Sequence, residues 1–240
     1  MYSEKIKKAI EDLHNGKFVL IFDFEGREEE TDFVMAASFT KPEDVRRMRK
    51  EGGGLIFLMV EDALAKKLGL PFLSELFYRE GNRYPVLKEL IPNDIPYDTK
   101  SSFSVTINHR KTFTGITDKD RALTIREFGL LATRLNQFQH DVDAQREFGS
   151  LFRAPGHVPI CRASEKPLQR RKGHTELSVA LLTIAGLTPV AVGCEMMYDD
   201  GNSLPKEKAK RYGEKHGFVF LEGKEIVEAW KEYLKIRNQM

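Results

Sequence analysis

Phe18-Val-Leu-Ile-Phe22 runs directly into Asp23-Phe-Glu-Gly-Arg-Glu-Glu-Glu-Thr-Asp32, so an uninterrupted apolar segment delivers six carboxylates and one arginine to a single place. Continuous rather than alternating apolar character marks a strand buried on both faces, here expected over 17–24. Such strands sit in sheets covered by helices, and this sets the fold class. The charge that follows is awkward. Two carboxylates ~5 Å apart repel by roughly 3 kcal/mol at an effective dielectric of ~20. Relief comes from raised pKa values, from a loop pushed apart or from a bound divalent cation, and hard cations such as Mg2+ take oxygen ligands. A solvated acidic turn is the competing account.

Outward from that segment, helix and strand signals alternate. Ser3 caps a helix whose apolar positions Ile6, Ala9, Ile10 and Leu13 share one face, stopped by Gly16. Thr40 and Glu43 have capping-box spacing for a helix to about residue 51, ended by Gly52-Gly-Gly54. Leu55-Ile-Phe-Leu-Met-Val60 and residues 189–196 read as buried strands, whereas Phe103, Val105 and Ile107 alternate in a half-exposed strand over 102–109. A short helix runs from about 61 to Gly69, and Thr117 caps another over 118–128. Residues 70–100, rich in proline, read as an irregular excursion, and 129–150 as a helix or a variable insertion. A helix over 174–185 has Leu177, Leu181 and Ile184 on one face, and a helix, strand and helix over 204–216, 218–221 and 224–238 complete the pattern. The expectation is an α+β fold: a single domain over 1–240 with a mixed β-sheet flanked by helices.

Bulk properties narrow the function classes. A net charge of +2 gives no global electrostatic case for nucleic acid or a membrane surface as partner. No apolar run approaches the roughly 20 residues needed to span a bilayer, and the N-terminus lacks a signal-peptide core. Two cysteines, Cys161 and Cys194, make neither a disulfide framework nor a zinc site, so a reduced, cytoplasmic location is expected. Both read as buried core thiols rather than nucleophiles.

Three further places offer chemistry. His157 lies in Arg153-Ala-Pro-Gly-His157, where Pro155 and Gly156 fix a turn. A positioned histidine is a natural general acid or base; a surface turn histidine is the alternative. His174, in Arg170-Arg-Lys-Gly-His-Thr-Glu176, starts a helix whose free N–H groups and dipole are reinforced by Arg170, Arg171 and Lys172. Gly173 permits close backbone approach and Thr175 adds a hydroxyl. This suits a phosphate, although the Walker A order is absent and a merely basic helix start would look similar. Glu195 ends a buried strand, where open α/β sheets hold ligands, with Asp199-Asp-Gly201 following. An acidic metal loop, a phosphate-binding helix start, a histidine and a further carboxylate together suit metal-assisted chemistry on a phosphorylated carbonyl compound.

Seven stretches then resemble, in order, the 3,4-dihydroxy-2-butanone 4-phosphate synthase family, most closely its archaeal single-function form: Gly26-Arg-Glu-Glu-Glu-Thr-Asp32, Gly52-Gly-Gly-Leu-Ile56, Phe103-Ser-Val-Thr-Ile107, Thr114-Gly-Ile-Thr-Asp-Lys-Asp-Arg121, Arg153-Ala-Pro-Gly-His157, Arg171-Lys-Gly-His-Thr-Glu176 and Cys194-Glu195 with Asp199-Asp-Gly201. The resemblance implies a lyase of riboflavin biosynthesis that converts D-ribulose 5-phosphate to L-3,4-dihydroxy-2-butanone 4-phosphate and formate, through an enediol and a skeletal rearrangement. It implies Mg2+, with Mn2+ also suited to a mixed oxygen and nitrogen shell. Carried over by position, Glu28 and His174 are metal ligands. Arg27, Glu28, Asp32, Arg171, Lys172, Gly173, His174, Thr175 and Glu195 contact substrate, and His157 and Glu195 move protons. It also implies a homodimer with sites at the subunit interface, where His157 serves the neighbouring site. Two departures touch loop flexibility and phosphate charge: bacterial relatives carry Asn-Glu-Gly-Asp at 29–32 and Gly at 172. No cysteine cluster of a GTP cyclohydrolase II domain is present, so that activity is not expected. Another Mg2+-dependent sugar-phosphate isomerase or aldolase would release no formate, and a non-enzymatic phosphate-binding module would leave the acidic loop unexplained.

Overall fold

In the computed structural model, which describes residues 2–92 and 94–239, the apolar segment forms strand β1 (Val19–Phe22) of a seven-stranded mixed sheet. Asn93, inside the 70–100 excursion, lies outside the described residues. The other strands are β2 (Thr31–Ala36), β3 (Gly53–Val60), β4 (Phe103–His109), β5 (Phe152–Arg162), β6 (Val190–Met196) and β7 (Val219–Glu222). They lie in the order β4-β5-β3-β6-β2-β1-β7. The β1–β7 and β3–β5 pairs are parallel and the rest antiparallel.

Helices α1 (Glu4–His14), α2 (Pro42–Arg47), α3 (Asp62–Lys67), α4 (Leu73–Glu80), α5 (Val86–Glu89), α6 (Asp118–Thr133), α7 (Asp141–Leu151), α8 (His174–Ile184), α9 (Lys206–His216) and α10 (Gly223–Gln239) surround the sheet. Period-2 geometry explains why β1 carries no polar residue. Phe18, Leu20 and Phe22 enter a core with α2, α6 and α9, while Val19 and Ile21 enter a second core with α1, α8 and α10. A mixed sheet flanked by helices is thus what forms.

Several local expectations need correction. β2 was not anticipated, because its polar start, Thr31-Asp32, continues the acidic run; both residues are nevertheless fully buried. The helix after Thr40 begins one residue later. Lys41 is its N-cap, Pro42 takes the first turn, and the Lys41 N–H donates to Asp44 at 2.8 Å, so no Thr40–Glu43 box forms. The 70–100 excursion contains α4 and α5. The helix capped by Thr117 runs on to Thr133, and α7 fills much of 129–150.

The turn expected at Pro155-Gly156 lies inside a strand, β5, where prolines are normally excluded. The structure accommodates them by a register break: Asn108 pairs with Arg153 but Ile107 with Val158, so residues 154–157 bulge out of the ladder. Gly156 N–H donates to Thr106 Oγ1 at 3.0 Å, pinning the bulge to β4. A Cβ on Gly156 would lie 2.0 Å from the Ile107 carbonyl carbon. Gly156→Ala is therefore expected to destabilise by ~2 kcal/mol or more, lowering the thermal midpoint by about 5 °C. An unchanged melting curve would show that the close approach is not needed.

Candidate active site

Strand parity builds the acidic half of the site. Phe33, Met35, Val192 and Cys194 face the α6 side of the sheet, whereas Val34, Ala36 and Ala191 face α8. Asp32 and Glu195 therefore belong to the α8 face, and register pairs them directly across β2 and β6. Both line a cavity of about 290 Å3, together with Phe57 from β3 and Cys161 from β5. Glu195 Oε2 accepts the Leu55 N–H at 2.8 Å. Both Asp32 oxygens are buried without a hydrogen-bond partner among the described residues. Burial drives the Asp32 carboxyl well above its ordinary range, and neighbouring Glu195 and Glu28 add to that against the opposing pull of His174. Burial likewise raises Glu195, more than its backbone N–H contacts lower it.

The conspicuous acidic run is the β1–β2 hairpin loop, and Asp23 organises it. Asp23 Oδ1 accepts the Glu30 N–H at 3.2 Å, and Oδ2 accepts the Glu28 N–H and Arg27 Nη1, each at 3.1 Å. This turns Glu28 toward the start of α8, where Gly173 is the N-cap and His174 the first helical residue. His174 Nδ1 lies 3.0 Å from Glu28 Oε2, and Nε2 lies 3.2 Å from the Glu30 carbonyl and 3.6 Å from Asp32 Oδ1. Burial alone would lower the His174 pKa. The charge of Asp32, the Glu28 bond and Asp23 override it and hold the imidazolium up to about 10. Glu28 mirrors this: burial raises its carboxyl, but His174, Arg27 and Arg171 bring it down to about 2.

One ligand atom each from Asp23, Glu28 and His174 lies within 4.8 Å of the other two. Asp23 is committed to three donors that shape the loop, whereas Glu28 and His174 face the cavity and contact each other. The unpartnered Asp32 oxygens add negative charge beside them. This oxygen-rich donor set, with one imidazole, fits a hard divalent cation.

The basic half comes from elsewhere in the chain. Arg27 Nη2 reaches Asp98 Oδ2 at 3.1 Å, Arg171 Nε contacts the same oxygen, and Arg171 Nη1 reaches Glu176 Oε2 at 2.6 Å. Tyr97 lies against the Arg27 guanidinium, its ring centroid 5.3 Å away. A Cβ on Gly173 would sit 2.4 Å from Arg171 Nη1 and 2.8 Å from Arg27 Nη2, so glycine lets both guanidiniums lie against the backbone. Thr175 completes the lining.

Arg27, Glu28, Asp32, Arg171, His174, Thr175 and Glu195 thus share one cavity. Lys172 is exposed and lines none of it, and Asp199 and Asp200 form an exposed turn beyond β6. His157, exposed on the β5 bulge, also lies outside the lining, four residues or ~13 Å along the strand from Cys161. Sequence reasoning missed Glu30, Tyr97 and Asp98, all of which line the cavity. Both thiols are buried, which pushes each up to about 12, in keeping with a core role.

The sequence profile of the 3,4-dihydroxy-2-butanone 4-phosphate synthase family matches residues 7–229. The chain belongs to that family. A synthase of Methanothermobacter thermautotrophicus is 48% identical over 229 residues, covering 95% of this chain and 96% of the relative. One of Methanosarcina mazei is 47% identical, covering 95% and 92%. Among solved structures, a Candida albicans synthase has a TM-score of 0.68 at 29% identity, covering 95% of this chain and 97% of its own. Another synthase, solved in complex with two magnesium ions, has a TM-score of 0.71 at 26% identity, covering 92% and 94%. The archaeal resemblance and the α+β fold both hold. The chain is accordingly a synthase-family enzyme of riboflavin biosynthesis.

Proposed function

We propose that the chain converts D-ribulose 5-phosphate to L-3,4-dihydroxy-2-butanone 4-phosphate and formate with Mg2+, Mn2+ being an alternative ion, and that it works as a homodimer. The observation that carries this reading is the Glu28–His174 pair, 3.0 Å apart at the head of α8, with Arg27 and Arg171 on one side and Asp32 and Glu195 on the other. Glu28 and His174 would hold the cation. When bound, it supplies positive charge for oxyanions that develop on adjacent substrate carbons.

The remaining work belongs to side chains. Arg27, Arg171, the His174 N–H and the Thr175 hydroxyl take the phosphate. Asp98 contacts both arginines and would compete with it for them. Asp32, buried and lacking partners, faces the substrate hydroxyls. Glu195 and His157 handle protons during enediol formation, loss of water, rearrangement and release of formate. His157 is exposed and outside its own cavity, which is the position expected of a residue lent to a neighbouring subunit.

The test is incubation with ribulose 5-phosphate and Mg2+, followed by a formate assay. Formate should appear, vanish with EDTA and return with added Mg2+. A metal-loaded, folded preparation that consumes ribulose 5-phosphate without formate would point to an isomerase or aldolase instead.

A further inference from the structure

The Asn108 side chain makes more contacts to His157 than holding the β5 bulge requires. Asn108 is buried near the end of β4. Its Oδ1 accepts the His157 main-chain N–H at 2.8 Å. Its Nδ2 lies 3.4 Å from the Thr114 carbonyl oxygen and 3.1 Å from His157 Nδ1. Two of these partners have fixed roles, since a main-chain N–H only donates and a carbonyl only accepts. They settle the orientation of the carboxamide, which geometry alone leaves open. With oxygen toward the N–H and nitrogen toward the carbonyl, the group facing His157 Nδ1 is a donor. Nδ1 must then accept. The Nδ1···Oδ1 separation, 3.3 Å, is the longer of the two contacts to the ring.

Two glycines keep this arrangement in place. Gly115 has φ +93°, and a Cβ there would come within 2.1 Å of Asn108 Nδ2. Gly156 and His157 N–H groups both donate to β4 side chains, at 3.0 and 2.8 Å, so the imidazole stands on a backbone tied down at successive residues. The main-chain bond to Oδ1 would suffice for structure. The contact to Nδ1 selects a tautomer.

Resting on the reading of His157 as a residue of the lyase chemistry, we propose that Asn108 is a positioning residue that holds the neutral His157 ring with its proton on Nε2. The share of the proton handling that falls to His157 is then hydrogen-bond donation to a sugar-phosphate oxygen, and abstraction falls to another group. The donor atom is the nitrogen on the far side of the ring from Asn108.

Long-range 1H–15N correlation of selectively labelled histidine, with His157 assigned by its absence in His157→Ala, reads the tautomer directly. At a pH where the ring is neutral, wild-type His157 should show an unprotonated Nδ1 and a protonated Nε2. In Asn108→Asp, whose carboxylate only accepts, the proton should move to Nδ1. Turnover should then fall at least ~10-fold with KM within about threefold, as expected when a histidine is held in the wrong tautomer. A protonated Nδ1 in the wild type overturns the proposal without relying on any variant's folding. So does Asn108→Asp with a switched tautomer and unchanged turnover. Wild-type turnover in His157→Ala would instead remove His157 from the lyase reaction, a failure of the parent reading that the spectrum cannot mimic.

Discussion

Glu28→Gln is expected to cut formate production at least ~100-fold while leaving the fold intact, because it removes the one charge about which the site is assembled. Glu28 Oε2 meets His174 Nδ1 at 3.0 Å, and Oε1 lies 2.8 Å from Arg27 Nη1 and 3.9 Å from Arg171 Nη2. Three cationic groups thus share a single carboxylate, which is why that carboxyl sits at about 2 despite burial. Glutamine keeps the shape but neither neutralises those groups nor binds a hard cation well. The cost to stability should be small. Glu28 is a loop residue, and Arg27, Arg171 and His174 keep Asp23, Glu176 and the Glu30 carbonyl as partners, so the loss should stay near ~1–2 kcal/mol, or about 2–8 °C in a domain of this size. Calorimetric titration with Mg2+ separates binding from catalysis and should show weakened Mg2+ affinity. Full turnover at ordinary Mg2+ concentration would take Glu28 out of the metal site.

What could be read in the sequence, and what could not, follows from how each residue reaches the site. The acidic loop and the basic, glycine-preceded helix start were legible as local patterns, and the family resemblance singled out Glu28 and His174 within them. Arg27 and Arg171 came with them. Asp32 was legible as a charge but not as a strand residue, since Thr31-Asp32 looks like more of the loop; the pairing of Asp32 with Glu195 depends on a strand order that local sequence does not encode. Asp98 was invisible for a different reason. It lies 71 residues from Arg27 and 73 from Arg171, in a stretch without periodicity, and its meaning arises only when the fold brings both arginines to one oxygen. The β5 bulge stands between these cases. Pro155 and Gly156 announced a departure from regular structure, yet only pairing with β4 shows it to be an interruption within a strand.

Asp32→Asn is expected to keep or slightly raise the thermal midpoint while lowering turnover at least ~100-fold, a stability–activity trade-off at one atom. Asp32 is fully buried, neither oxygen has a hydrogen-bond partner among the described residues, and Glu195 faces it across the strand pair. Burying such a carboxylate costs several kcal/mol as the ion, and protonation is the usual escape. Burial and the neighbouring Glu195 and Glu28 push the Asp32 carboxyl in that direction, against the pull of His174. Asparagine, neutral and nearly the same size, removes the cost of burying that charge. Against this stands the lost attraction to His174 Nε2, 3.6 Å away, which Glu28 at 3.0 Å largely replaces. A residue that gives the fold so little and sits so close to Glu28 and His174 is explained by what enters the cavity. Melting curves with and without Mg2+, beside formate assays, test both halves. A fall of more than ~10 °C would make Asp32 a structural group, because a shift that large exceeds what a neutral, near-isosteric exchange should cost. Undiminished formate would leave its burial without a purpose in this reaction.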